Sequence, residues 1–283
     1  MGKSVVITGA NSGIGLATAV ELATHGYDVI GTVRSDEKAA LLQAAGSERD
    51  VAIRTVICDV TDAEQTTAAF KEIAAMTDGG PWAVINNAGY AQAGAVEDVD
   101  DDAARDQLEV NVVAPARIVR LVLPAMRERG DGRILMMSSI AGRTTLPLVG
   151  WYHASKHALE ALTDSLRMEV AQFGVKVVLI EPGSFGTPIW AEGASRLPRR
   201  DSSPYADAYA RADAYVSRAD RLPDPVWVAR TVRLALASPR PLRRYLIGVD
   251  AVTGALLDSV TPDFLADRVK ALGAGVGKLP FRG

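Results

Sequence analysis

Ser4-Val5-Val6-Ile7-Thr8-Gly9-Ala10-Asn11-Ser12-Gly13-Ile14-Gly15-Leu16-Ala17 is the stretch on which the fold turns. Val5-Val6-Ile7 is short, apolar and β-branched, which predicts a buried strand, while Leu16-Ala17, Val20 and Leu22-Ala23 recur at helical spacing until Gly26. The glycines between them let the backbone turn tightly and come close to a ligand. The helix that follows offers free N–H groups and the positive end of its dipole, an arrangement suited to a pyrophosphate. The spacing departs from G-x-G-x-x-G, because the third residue after Gly15 is Thr18. A purely structural strand-to-helix turn would use the same glycines, so the rest of the chain has to decide.

Outward from this unit the alternation repeats. Strands are expected over 27–33, 51–58, 82–85, 132–137, 176–180 and 244–248, with helices over 36–45, 62–77, 101–129, from Tyr152 to about Phe173, and from Pro225 to Ala237. Strand and helix in turn predict parallel βαβ units, with ligands at the carboxyl ends of the strands.

Composition sets the outer bounds. The 283 residues, 48% hydrophobic and 23% charged, suffice for a large core, and a net charge of −3 gives no reason to expect nucleic acid or an anionic membrane as partner. Cys58 is the only cysteine, so no internal disulfide forms and a reducing compartment is indicated. His25, His153 and His157 are the only histidines. The last two are four apart but lack a third ligand nearby, so no metal is expected. The N-terminus lacks a signal-peptide pattern and no run is long enough to span a membrane. A cytoplasmic protein is expected.

The chemistry concentrates around Trp151-Tyr152-His153-Ala154-Ser155-Lys156. Residues four apart share a helix face, so the Tyr152 phenol and the Lys156 ammonium project together. A free phenol titrates near pH 10 and serves poorly as an acid or base unless a cation such as Lys156 favours the phenolate. With seven tyrosines in the chain, such a pair also arises by chance, and its company matters more. Ser138 and Ser139 follow the fifth strand. In the long helix Asn111 is followed four residues later by Pro115, which has no N–H to return to the Asn111 carbonyl. A kink is expected there, with that carbonyl free to bind water or charge. Asp59 ends the third strand, where its carboxylate would meet an adenine amino group or simply cap the next helix. Asn86-Asn87-Ala88-Gly89 ends the fourth, either packing beside a cofactor or forming an ordinary turn.

Taken together, Thr8-Gly9-Ala10-Asn11-Ser12-Gly13-Ile14-Gly15, Asp59, Asn86-Asn87-Ala88-Gly89, Asn111, Ser139, Tyr152-x-x-x-Lys156 and Pro182-Gly183 with Thr187 resemble, in order and spacing, the motif series of the short-chain dehydrogenase/reductase family. The resemblance covers roughly 3–190. It implies an α/β, Rossmann-type, doubly wound seven-stranded parallel sheet in a single domain with helices on both faces. It also implies nicotinamide binding and hydride transfer between cofactor and a carbonyl or alcohol. By position Tyr152 would be the acid/base, Ser139 the holder of the substrate oxygen, Lys156 the partner of the nicotinamide ribose, and Asn111 a link to Lys156 through water. Gly9, Asn11, Ser12, Gly13, Ile14, Gly15, Arg34, Asp59, Val60, Asn87, Ala88, Gly89, Pro182, Gly183, Phe185 and Thr187 would line the cofactor together with Tyr152 and Lys156. Glu181-Pro182-Gly183-Ser184-Phe185-Gly186-Thr187, together with Arg244-Tyr245-Leu246-Ile247-Gly248 as the last strand, looks similar to the branch containing 17β-hydroxysteroid and retinol dehydrogenases.

Cofactor choice is read from the second strand, which ends in Val33 with no acid, followed by Arg34. An acid there would repel a 2′-phosphate, whereas a guanidinium binds one. NADP is therefore expected over NAD, unless Arg34 is a solvated charge or pairs with Asp36. Within 188–224, an expected substrate lid, Tyr205, Tyr209, Ala212 and Val216 fall on one helical face, as core packing against the sheet or as part of the lid. With 146–151 as the other wall, the apolar character of both segments suggests a hydrophobic ketone or aldehyde and its alcohol. A homodimer or homotetramer is expected, and 273–283 reads as a loose tail. Two alternatives stand beside the enzyme: a catalytically inactive dinucleotide-binding sensor, and an epimerase on the same fold.

Overall fold

The computed structural model describes residues 2–196, 203–217 and 221–276. Seven strands, β1 (Ser4–Thr8), β2 (Asp28–Val33), β3 (Arg54–Ile57), β4 (Ala83–Asn86), β5 (Gly132–Met137), β6 (Val175–Pro182) and β7 (Arg244–Ile247), form one sheet in the order β3-β2-β1-β4-β5-β6-β7. All pairings are parallel. The order reverses between β1 and β4, and a crevice opens at such a point because the chain leaves in opposite directions on its two sides.

Both faces of the sheet are covered, which is why its strands read as continuous apolar runs rather than alternating ones. Val5 and Ile7 point into one core layer with Leu22 of α1 (Gly13–Thr24), Leu42 of α2 (Asp36–Ser47) and Val232 of α9 (Val226–Ala237). Val6 points into the other with Ile73 of α3 (Ala63–Met76), Ile118 of α5 (Ala114–Arg129) and Leu159 of α6 (Gly150–Val170). Helix starts follow side-chain caps: Ser35 accepts from Lys38 N, and Asp62 accepts from Glu64 N and Gln65 N. Gly130, at φ 70°, ends α5 in the left-handed conformation that favours glycine.

The expected long helix of 101–129 is contiguous, as α4 (Asp101–Leu108), a π turn over Glu109–Val113, and α5. The π turn falls at the expected disturbance around Asn111. Ala114 N bonds to Glu109 O, one residue further back than in an α-helix, so Pro115 enters the first turn of α5, where a missing N–H is tolerated. The third strand is shorter than the expected 51–58, because Val51 N turns back to Gly46 O.

Two expectations for the C-terminal part are corrected. The stripe on α8 (Ala206–Val216) does not pack on the sheet. Tyr209, flanked by Tyr205 and Ala212, packs against Ala95 and Leu148 in a separate small cluster, and Tyr209 Oη accepts from Ala95 N at 3.0 Å. Residues 273 and 274 belong to α11 (Asp263–Ala274), which follows α10 (Val249–Val260), and the rest of the expected tail, 277–283, lies outside the described residues.

Candidate active site

A cleft of about 590 Å³ runs along the carboxyl ends of the strands. Every residue expected to touch the cofactor, from Gly9 through Thr187, lines it, as do Ser139, Tyr152 and Lys156; Asn111 does not. At the β1/β4 switch Thr8 Oγ1 accepts from Asn87 N at 3.0 Å and Ala88 N at 2.9 Å. Asn87 Nδ2 donates to Thr8 O and Gly9 O in return. The Asn87 amide therefore fixes the glycine turn rather than facing a ligand freely. Gly15 can only be glycine, since an added Cβ would stand 2.4 Å from Gly9 O. The first turn of α1 has no side-chain cap, because Ser12 at the N-cap makes no such bond. Gly13, Ile14 and Gly15 of this turn line the cleft, and uncapped backbone N–H groups at a helix start fit an anion.

Beyond that turn stand Arg34 and Lys38, with no ion pair to either among the described residues. The Asp36 partner considered for Arg34 is not engaged. Lys38, one helical turn after Arg34 and inside α2, was legible from its spacing but not singled out. Asp59 does not cap α3, a task that falls to Asp62. Its Oδ1 instead accepts from Thr61 N at 3.0 Å and Thr61 Oγ1 at 2.7 Å. Burial pushes the Asp59 carboxyl up, but the Thr61 hydrogen bonds and then the Arg34 and Lys38 charges outweigh it, so Asp59 titrates below the usual carboxylate range.

The reacting groups meet where β5 ends. Ser139 caps a short turn over Ile140–Gly142, accepting from Ala141 N at 3.1 Å, and its hydroxyl donates to Pro182 O over a long 3.4 Å. His153 Nδ1 lies 2.9 Å from Ala141 O and pins this turn to α6. Burial lowers the His153 pKa, and the neutral ring donating from Nδ1 satisfies that carbonyl. The histidine pair is thus structural at His153, and no metal-binding cluster exists among the described residues. Asn111, 1% exposed, lies behind the cleft: Nδ2 donates to Tyr90 O at 3.1 Å and Ser155 Oγ at 3.0 Å, while Oδ1 accepts from Tyr90 N. It ties the turn after β4 to α6. Lys156 Nζ donates to Met137 O at 2.8 Å and makes no direct bond to the Asn111 carbonyl.

The electrostatics correct one expectation. Burial pushes the Tyr152 phenol above its ordinary value, with Ser139 pulling back only in part, and Lys156 is not the cation that sets it. The ammonium stands 5.7 Å from the ring centroid, engaged with Met137 O. Near neutrality Tyr152 is a protonated acid. Lys156 itself is lowered to about 8, mainly by burial, with Glu160 opposing. Its folded pKa lies below the ordinary 10.5, so the buried charge costs stability in full below pH 8 and the cost fades as pH climbs towards 10.5. That gap corresponds to about 3 kcal/mol, less about 1 kcal/mol for the Met137 hydrogen bond. Lys156→Met is therefore expected to raise the thermal unfolding midpoint at pH 7, measured by calorimetry; a lower midpoint would show that the ammonium stabilises the fold.

Residues 3–197 match the family model described as short chain dehydrogenase, over more than half of the chain. The chain is a short-chain dehydrogenase. It is 32% identical over 273 residues to the NADPH-dependent 3-dehydrocapnine reductase of Ornithobacterium rhinotracheale, covering 94% of this chain and 95% of the relative. It is also 32% identical to human retinol dehydrogenase 5, over 94% of this chain and 86% of that one, in keeping with the expected branch. The crystal structure of a short-chain dehydrogenase from Streptomyces avermitilis superposes with a TM-score of 0.80 at 35% identity, covering 97% of both chains. The protein is thus an NAD(P)-dependent oxidoreductase, and the seven-stranded doubly wound sheet is the one expected of it.

The outer half of the dehydrogenase cleft is less apolar than its sequence suggested. Leu146, Val149 and Ile189 line it, but Trp151 does not, and Asp106, Glu192 and Arg196 join the wall. The Arg196 guanidinium lies 4.2 Å over the Tyr90 ring. Asp250 is a second residue that sequence reasoning missed. Its carboxylate accepts from Ser184 N at 2.6 Å and fills the space where Gly183 would carry a Cβ, holding the turn after β6 from a helix 66 positions on. No local pattern marks such a contact.

Proposed function

We propose that this dehydrogenase is an NADP(H)-dependent carbonyl reductase interconverting a hydrophobic ketone or aldehyde and its alcohol. One observation carries the reading: the Tyr152 phenol and Ser139 hydroxyl converge on one wall of a cleft whose far end holds Arg34 and Lys38. The nicotinamide, when bound, supplies or takes up the hydride. The α1 N-terminus, Arg34 and Lys38 would hold the phosphates, and Lys156 the ribose. Tyr152, kept protonated by burial, gives its proton to the carbonyl oxygen as charge builds there. Ser139 exchanges its long bond to Pro182 O for that same oxygen. Donors already in place stabilise the developing oxyanion more than the ground-state carbonyl, which is what accelerates the step. Asn111 supports the arrangement from behind, through Ser155 and through water to Lys156.

Ile189, Glu192 and Arg196 from the start of the segment 188–224 contribute to the outer wall and serve as part of a lid on the substrate; 197–202 and 218–220 of that segment lie outside the described residues. Exposed Val249, Leu256, Phe264 and Val269 on α10 and α11 support association into a homodimer or homotetramer. The buried free thiol of Cys58 suits the reducing cytoplasm. With Leu146 and Val149 lining the outer cleft, kcat/KM for bulky apolar ketones is expected to exceed that for short hydroxylated ones by at least tenfold. A steady-state survey of both classes with NADPH checks this, and a preference for short sugars would overturn the substrate assignment.

A further inference from the structure

Beneath the reacting groups lies a charged cluster for which the proton and hydride chemistry has no use. Glu181, 0% exposed at the end of β6, receives Arg143 Nε at 2.5 Å and Nη2 at 3.2 Å, and Arg244 Nε at 3.1 Å. Arg244, from β7, reaches on to Glu160 at 3.1 Å and Asp164 at 2.6 Å, and Asp164 holds Arg167 as well. Three carboxylates thus face three guanidiniums. Removing the buried Glu160 and Glu181 carboxylates from water costs several kcal/mol per ion, and well-packed apolar residues of similar volume often serve stability as well or better. Stability alone is a poor reason for the cluster.

Its placement suggests a better one. Arg143 closes the turn that Ser139 caps, and Glu181 directly precedes Pro182, whose carbonyl receives the Ser139 hydroxyl. Glu160 follows Lys156 by one turn on the same face of α6, and both are buried. The Ser139 turn rests on Glu160: a Cβ at Gly142 would meet Glu160 Cγ at 2.8 Å. We propose that Glu160 and Glu181, joined through Arg244 and Arg143, are positioning residues, Glu160 supporting Lys156 from one turn along α6 and the Arg143–Glu181 pair holding the Ser139 turn against β6. The proposal rests on the reading of Lys156 as the group that holds the ribose.

Several other titratable groups stand on the elements around Lys156. They are Tyr152, His153 and His157 on α6, Asp106 on α4, Glu109 on the π turn (paired with Arg117), Arg143 after the Ser139 turn, Glu181 on β6 and Arg244 on β7. Against burial, only the Glu160 charge acts to keep the Lys156 proton in place. Loss of that charge lets the ammonium deprotonate at lower pH.

The test is the dissociation constant of NADPH, read by fluorescence titration from pH 6.5 to pH 9.5 with no substrate present, so that Tyr152 chemistry does not enter. Wild type is expected to lose affinity as pH rises through about 8. In Glu160→Gln the fall should begin about one pH unit lower, with affinity at pH 6.5 within twofold of wild type. Arg143→Gln, at a partly exposed side chain, gives a second reading should Glu160→Gln fold poorly: kcat falls about tenfold or more while the NADPH dissociation constant stays within twofold. An unmoved alkaline limb, or a loss in Glu160→Gln that is uniform across pH, would overturn the role of Glu160; unchanged kcat in Arg143→Gln would overturn that of the clamp. Failure of the wild type to bind either dinucleotide would instead sink the functional reading, and this proposal with it.

Discussion

Tyr152→Phe is expected to lower kcat by about 10²–10⁴-fold, the range that a positioned proton donor supplies, while NADPH affinity changes less than twofold. The substitution deletes one oxygen from a partly buried ring and leaves the packing of α6 in place. The lost atom is the one paired with Ser139, not one that anchors α6: Lys156 Nζ on Met137 O holds α6 to β5, and His153 on Ala141 O holds it to the Ser139 turn. Single-turnover reduction measured beside dinucleotide titration separates the two effects. Retention of wild-type turnover would remove Tyr152 from the chemistry, and an equal loss of binding would recast it as a structural residue.

The second large effect concerns the dinucleotide. Arg34 is exposed at the end of β2, Lys38 stands one turn further on, and neither is engaged in an ion pair among the described residues. A phosphate between them would gain charge-assisted hydrogen bonds worth about 1.5–3 kcal/mol, or roughly 10- to 100-fold in affinity. Arg34→Ala with Lys38→Ala should therefore cost that factor in kcat/KM for NADPH and leave the value for NADH almost unchanged. Full reversal requires a carboxylate that accepts from the ribose hydroxyls, for which Val33→Asp is the position. Val33 is only 1% exposed and packs in the core layer beside α2, so the triple variant should also be less stable. An equal loss with both cofactors would place the two cations elsewhere than at a 2′-phosphate.

Much of this was legible because the features are local. Val5-Val6-Ile7, the glycines after Thr8 and the helical period from Leu16 to Ala23 together dictate strand, turn and helix, and their repetition dictates a parallel sheet. The four-residue spacing of Tyr152 and Lys156 survives unchanged on α6. What stayed hidden depends on distance in the chain. That the Asn87 amide binds Thr8 O and Gly9 O while the residue lines the cleft carries no local signal, and neither does Asp250. Pro115 announced a disturbance in the helix but not its form, because a π turn and a kink both accommodate a missing donor. The phenol pKa is hidden for a related reason: one-face geometry says that Lys156 is near, but not that burial of the phenol raises its pKa.

Ketone-dependent oxidation of NADPH and of NADH by the wild-type protein, compared as kcat/KM on one bulky apolar ketone, bears most directly on the central claim. The arrangement of Tyr152, Ser139 and Lys156 beside Arg34 and Lys38 predicts turnover with both, favouring NADPH by tenfold or more. Tight dinucleotide binding with no ketone-dependent oxidation of either cofactor would contradict it and leave a binding protein in place of a reductase.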